Sequence, residues 1–325
     1  MIVENDRINS IIDAKQEDVV LKSFNRFGNM MPPDEVMTRS YLMAEEPFQI
    51  YGTLYFVGNT WCSSHLIDTG DGLLLLDTPC LHELAYLINN IYKLGFKLAD
   101  LKYIVVSHAH SDHYGAVRAL VHLTGAKTFM GRVDAEDLMA HPERQKNLNQ
   151  GCRYDEFFEP DVLLEDGDVI KLGNTKMRCV LTPGHTLGVM SHFWEAYDGE
   201  ESKKVGIYGG AGFVTLTKSR MEREGIPEHL REDFRTSIEK VWDEDVEIML
   251  GNHPFHNDTY DKNERRTENG ENPFIDPTEW KRYLQELKDC YQEFLALNEE
   301  QVAEMYKESA YLTYRDICTP YLLEK

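Results

Sequence analysis

The sequence predicts an α/β fold whose site lies along one edge of a sheet. Three strand-like apolar runs each end in a turn carrying histidine. Tyr103-Ile104-Val105-Val106 precedes Ser107-His108-Ala109-His110-Ser111-Asp112-His113. Met177 to Leu181 precedes Thr182-Pro183-Gly184-His185-Thr186-Leu187-Gly188, and Glu247 to Leu250 precedes Gly251-Asn252-His253-Pro254. Stretches with apolar residues at helical spacing separate and succeed these runs, which is the second observation. Pro and Gly beside the histidines stop the strands and aim the side chains outward. Strand ends gathered on one edge are where open α/β sheets place their sites.

Taken in order, residues 1 to 44 read as an amino-terminal arm, interrupted by the helix-breaking run Met30-Met31-Pro32-Pro33 that sets it off from the main domain. Leu81 to Leu94 is helix-like, with Leu84, Leu87, Ile88 and Ile91 on one face. Val117 to Leu123 is another helix, on which His122 is an ordinary helix residue. Val189 to Trp194 alternates as a strand, and His192 reads as part of it. Leu230, Phe234, Ile238 and Trp242 recur every fourth residue, an amphipathic helix leading into the His253 strand. After Pro277 the pattern Trp280, Tyr283, Leu284, Leu287, Tyr291, Phe294 gives a further helix whose aromatic stripe is read as core. The tail from Glu299 to Lys325 either covers the site's rim or makes a homodimer contact. The chain divides as arm 1–44, main domain 45–300 and carboxyl-terminal helical extension 301–325.

Four metal-binding side chains fall between His108 and His113, just past a buried strand. Imidazoles at i and i+2 on an irregular loop can point at one ion. The Asp112-His113 pair adds an oxygen and a nitrogen for a second, the ligand types that zinc prefers. The simplest partition gives one ion His108, His110 and His185, and the other Asp112, His113 and His253. Each ion then has three protein ligands and an open position, as catalytic zinc has.

This pattern resembles the metallo-β-lactamase superfamily, and most closely the third subclass of the class B enzymes. Pro47-Phe48-Gln49-Ile50-Tyr51-Gly52 and Leu54-Tyr55-Phe56-Val57-Gly58 look like that subclass's opening hairpin. Asp68-Thr69-Gly70-Asp71-Gly72 followed by Leu73-Leu74-Leu75-Leu76-Asp77 looks like its next two strands. The resemblance covers residues 45 to 300, and His108, His110, His185, Asp112, His113 and His253 each match a family ligand position. It implies a four-layer αβ/βα sandwich: two facing mixed β-sheets with helices on both outer faces. Many members also carry an aspartate bridging the metals. The matching strand here, Lys204 to Gly212, has no acid, which disfavours glyoxalase II-like and lactonase-like arrangements and fits the third subclass. Exported members often have a disulfide at positions matching Val246 and Trp280, so that link is absent.

At 325 residues, 42% apolar and 28% charged, the chain can bury a large core in one domain. No apolar stretch approaches the roughly 18 residues of a membrane span. Met1-Ile2-Val3-Glu4-Asn5-Asp6-Arg7 has acids where a signal peptide needs bases, so a cytoplasmic location is expected. The six cysteines (Cys62, Cys80, Cys152, Cys179, Cys290, Cys318) show no Cys-x-x-Cys spacing and are read as free, mostly buried thiols of a reduced compartment. A net charge of −22 would repel nucleic acid, leaving a small molecule as the expected partner.

The expected cofactor is Zn²⁺, two ions per chain. Zinc lowers the pKa of bound water from 15.7 to about 7, so a hydroxide held between two ions would attack an amide, lactam or ester carbonyl. Asp112 would orient that hydroxide as well as bind metal. Asp77 is a candidate to hold a ligand imidazole in the right tautomer, or else a strand-end turn acid. His256, three residues past His253, is a candidate substrate or supporting contact. His65, His82, His141 and His229 carry no usable signal. The subclass usually has a serine near the position of Ala211 that helps hold the β-lactam carboxylate, and a proline where Leu187 stands. Thr215, Thr217 or Lys218 would have to compensate for the serine. A β-lactamase is thus one expectation within a dizinc hydrolase. The alternative on the same fold is an iron-dependent oxidoreductase of the sulfur dioxygenase type, with one iron on two histidines and an acid.

Overall fold

The computed structural model describes residues 39–141 and 156–302. The arm before residue 39, the tail from residue 303, Cys152 and Cys318 lie outside the described residues. Strands β1 (Phe48–Tyr51), β2 (Leu54–Phe56), β3 (His65–Asp68), β4 (Leu73–Leu76), β5 (Leu101–Val106), β6 (Lys127–Gly131) and β7 (Val162–Leu164) lie side by side in chain order. Pairing is antiparallel up to β4 and parallel from β4 to β7. A second sheet has the order β12 (Ile248–Leu250), β11 (Glu201–Ile207), β10 (Met190–Asp198), β9 (Thr175–Leu181), β8 (Val169–Leu172), antiparallel except for β11 with β12. Parallel neighbours need crossovers, and helices supply them. α1 (Leu84–Lys93) joins β4 to β5, while α2 (Ser111–Tyr114) and α3 (Val117–Thr124) join β5 to β6. α4 (Arg132–Ala140) comes after β6, and α5 (Lys218–Glu224) and α6 (Leu230–Lys240) join β11 to β12. α7 (Thr259–Asn269) and α8 (Glu279–Ala296) come after the last strand.

The four layers arise from residue alternation. In β4 all four leucines are buried, which a strand covered on both faces requires. Leu74 and Leu76 pack between the sheets, with Phe56, Val105, Met177, Trp194, Ile207 and Leu250. Leu73 and Leu75 turn to the other face, where Leu87 and Ile91 of α1 and Val117 and Leu120 of α3 cover them. On the far side, Leu230, Phe234 and Ile238 of α6 and the Trp280 to Phe294 stripe of α8 pack on Val180, Phe193 and Met249. The stripe is core, as expected. Each such side chain contributes about 1.5–3 kcal/mol relative to leaving it in water. The architecture is the αβ/βα sandwich that the resemblance implied.

Several boundaries differ from the sequence expectation. Asp68 to Gly72 is not a strand. β3 lies upstream and ends at Asp68, and the Thr69 hydroxyl closes the turn onto the Gly72 carbonyl at 2.7 Å. Turn chemistry outweighed the likeness there. α6 ends at Lys240, so Trp242 sits in the turn beyond it, still partly buried against the helix-side core. His122 is exposed on α3, and His192 is fully buried within β10. Cys62, Cys80, Cys179 and Cys290 are buried and in no disulfide with another described cysteine. Val246 and Trp280 are buried in one core cluster, and the Trp280 Nε1–H donates to the Val241 carbonyl at 2.9 Å. No described helix is long and apolar enough to cross a membrane.

Candidate metal centre

The strands that end in the histidine-bearing turns all finish on one edge. β4 and β5 are parallel, and β9, β11 and β12 run the same way because β10 is antiparallel to both β9 and β11. Their carboxyl ends deliver Asp77, His108 to His113, His185, Gly209 to Gly212 and His253. Asp77 needs a left-handed backbone (φ +60°) to turn its carboxylate back under the site. Gly184 has φ +146°, and a Cβ there would meet the Phe234 backbone at 2.6 Å, so only glycine lets the His185 loop approach α6.

Four imidazoles are fixed by their Nδ1 atoms. His108, His185 and His253 face the carbonyl oxygens of Gly209, Gly212 and Trp61 at 2.7, 2.7 and 2.6 Å. His113 Nδ1 lies 3.1 Å from Asp77 Oδ2. With Nδ1–H donating in each case, the Nε2 lone pairs point inward, as metal-ligating histidines require. Asp77 thus sits behind His113, and it also accepts from the Ser107 N–H and hydroxyl, both at 2.7 Å.

Two groups of ligand atoms result. In the first, His108, His110 and His185 offer ring nitrogens within 4.8 Å of one another. In the second, the same spacing joins Asp112 and His253 to Cys62, a residue that its sequence context marks only as a structural thiol. His113 adjoins this group: its Nε2 is 3.4 Å from Asp112 Oδ2, and the His253 Nε2 is 3.7 Å from the same oxygen. The groups share a wall, with the His108 and His113 rings 4.1 Å apart. His256 is buried edge-on against His253 and 6.2 Å from the Tyr283 ring, so it supports a neighbour rather than opening to substrate.

The electrostatics suit cations. Burial, together with the neighbouring imidazoles, holds His108 and His110 well below the usual histidine range and lowers His185 and His253 to about 4. These rings are therefore neutral, with lone pairs available. Burial would raise Asp112, but His113 and His253 hold its carboxyl far below the usual range. Burial alone would lower His113, yet the Asp112 and Asp77 carboxylates raise it to about 10, a proton standing where positive charge is wanted. His108 Nε2 and His113 Nε2 are buried with no hydrogen-bond partner. Buried polar atoms without partners cost about 1–3 kcal/mol each, a cost that a cation bound beside these atoms would remove. The residues fit zinc.

Two further features have no signal in the sequence. Asp134, at the start of α4, accepts from the Ala109 N–H (2.9 Å), the Thr186 hydroxyl (2.6 Å) and the Gly188 N–H (2.5 Å). It ties the His108–His110 loop to the His185 loop, and nothing local in sequence marks it. Asp134→Ala should orphan those donors and weaken zinc at the three-histidine position by about 10–100-fold, the usual effect of losing a support behind the ligands. Zinc titration against a competing chelator measures this, and unchanged affinity would show the clamp is dispensable. The second feature is Gly210, where a Cβ would meet the His185 ring at 2.6 Å. Glycine there leaves room for the His185 ring.

Residues 58–198 match the family model described as the Metallo-beta-lactamase superfamily. By its fold and by this match the chain is similar to the metallo-β-lactamase superfamily. The nearer likeness is to subclass B3. A subclass B3 metallo-β-lactamase of Bradyrhizobium japonicum is 28% identical with a TM-score of 0.72, over 83% of this chain and 100% of that one. The native metallo-β-lactamase from Legionella gormanii is 29% identical with a TM-score of 0.70, over 81% and 97%. Among curated proteins, a hydroxyacylglutathione hydrolase of Rhodopseudomonas palustris is 33% identical over 120 residues, 37% of each chain. A Bacillus subtilis protein described as "Probable polyketide biosynthesis zinc-dependent hydrolase" is 30% identical over 96 residues, 30% of this chain and 36% of that one. The chain thus spans little more than a third of the length of these curated relatives.

Proposed function

We propose that this protein is a dizinc hydrolase of a small amide, lactam or ester, with the β-lactam ring among its substrates. The observation that carries this is the pair of ligand groups sharing the His108–His113 wall, with buried Nε2 atoms of both rings lacking any hydrogen-bond partner. Zinc held there would supply hydroxide at neutral pH and polarise a carbonyl. His108, His110 and His185 would hold the first ion, and Asp112, His113 and His253 the second. Asp112 stays ionised, so its carboxylate can accept a hydrogen bond from the attacking water and fix its orientation. Asp77 keeps His113 in the Nδ1–H tautomer.

A cavity of about 60 Å³ opens beside His110, lined among others by Asp134, Leu187, Thr215 and Arg220. Ala211 offers no hydroxyl, but the Thr215 hydroxyl is buried there without a partner. The Thr215 hydroxyl is therefore our choice for a substrate carboxylate, beside Arg220, which pairs with Glu224 at 3.0 Å. The relatives named for an activity are hydrolases, which favours hydrolysis over the iron-dependent oxidoreductase alternative.

Zinc-reconstituted protein should hydrolyse a chromogenic cephalosporin, and chelation should abolish that activity. If neither this compound nor any member of a broad amide and ester panel is hydrolysed in a metal-dependent way, the proposal fails. Iron at one per chain without hydrolysis would favour the oxidoreductase.

A further inference from the structure

The resemblance gives no role to position 62, yet the fold brings the Cys62 sulfur into the second ligand group. We propose that Cys62 supplies a thiolate to the second cation position, beside Asp112 and His253. The proposal rests on the reading of two cation positions under Proposed function.

Its sulfur lies 3.8 Å from Asp112 Oδ2, and the sulfur, carboxylate and His253 ring nitrogen are all within 4.8 Å of one another. The placement is built by the loop between β2 and β3. The Asn59 side-chain oxygen accepts from the Trp61 and Cys62 N–H groups at 2.8 and 2.6 Å, closing a turn that points the thiol inward. That loop is joined to the His253 loop on both sides of Cys62. The Trp61 carbonyl accepts from His253 Nδ1 at 2.6 Å, and the Ser63 N–H donates to the Asn252 carbonyl at 2.8 Å. Thiol and imidazole therefore move as one unit. An independent observation marks the same spot as a cation position: His113 Nε2 is fully buried, 3.4 Å from the same Asp112 oxygen, and makes no hydrogen bond.

The chemistry is simple. The Cys62 S–H bond breaks, its proton passes to solvent, and a metal–sulfur bond forms. A thiolate is a soft ligand, so this position would select zinc over hard ions such as Mg²⁺ or Mn²⁺. It would also carry two anionic ligands, against three neutral imidazoles at the other position. The two ions would then differ in electrophilicity, the three-histidine ion being the stronger Lewis acid.

Zinc-edge X-ray absorption on the full chain loaded with two zinc ions tests this. The expected result is a sulfur shell at about 2.3 Å beside nitrogen and oxygen at about 2.0–2.1 Å. Cobalt-loaded protein should show a near-ultraviolet thiolate-to-cobalt absorption. Cys62→Ser and Cys62→Ala should each lose both signatures and bind the second ion at least about tenfold more weakly, while keeping the first. If Cys62→Ala does not fold, the nearly isosteric Cys62→Ser and the wild-type spectrum decide. Two bound ions with no sulfur shell, or signatures that survive in Cys62→Ser, overturn the thiolate and leave the two-position reading standing. Binding of at most one ion, with no sulfur contact, overturns both.

Discussion

Asp112→Ala should lower bound zinc from about two toward one per chain and cut turnover by about 10²–10⁴-fold, the range for losing a positioned acid–base group. The expectation comes from where the carboxylate stands. Oδ2 lies 3.4 Å from His113 Nε2, 3.7 Å from His253 Nε2 and 3.8 Å from the Cys62 sulfur, so one atom is common to every contact at the second position. Without it, His113, His253 and Cys62 keep their anchors on Asp77, the Trp61 carbonyl and the Asn59 turn, but they surround a gap at their centre. The three-histidine position shares none of these atoms and should keep its ion. Far-ultraviolet circular dichroism should be unchanged, since Asp112 belongs to no core cluster. Metal analysis of dialysed protein checks the stoichiometry, and retention of two zinc ions would break the assignment of ligands to the two positions.

Glu279→Ala should be the most damaging single change away from the site. The Lys262 Nζ of α7 lies 2.6 Å from Glu279 Oε1 at the start of α8, and both residues are almost fully buried, at 4% and 3% exposure. Truncating the acid leaves a buried ammonium facing the Phe274 ring, 5.5 Å away, with its countercharge gone. Removing one member of a buried pair costs about 3–5 kcal/mol, which for a domain this size lowers Tm by roughly 10 °C. The pair itself contributes much less, because burying both charges offsets most of their attraction. The double change Lys262→Met with Glu279→Leu should therefore recover most of the loss. Thermal melts of the two variants and the parent decide it. A Glu279→Ala melt within a degree or two of the parent would mean water or a neighbour replaces the acid. Neither side chain touches the ligand groups, so zinc content at room temperature should stay the same.

Much of the fold was legible because its signals are local. The every-fourth-residue face of α6 and the apolar stripe of α8 report solvent exposure residue by residue, whereas the leucines of β4 were placed as a strand by the resemblance. The histidine turns were legible for a related reason. A run such as His108 to His113 after an apolar strand has few uses other than ligation, and Pro or Gly nearby marks the strand's end. The errors fell where turn chemistry, not hydrophobicity, sets the structure, as at Asp68 to Gly72.

The sequence by itself determined the histidines and acid that meet on one sheet edge and the family likeness, and the layer order followed only as what that likeness implies. The first two are carried by short-range periodicity or by a compact motif. Only the tertiary structure decided that Cys62 stands beside Asp112 and that Asp134 clamps two histidine loops. It also decided that Gly210 makes room for the His185 ring. These depend on contacts between segments far apart in the chain: Ser63 with Asn252, Asp134 with Gly188, Gly210 with His185. A lone cysteine or aspartate has no periodicity to announce it. Its role appears only when packing of the two sheets fixes which loops face each other.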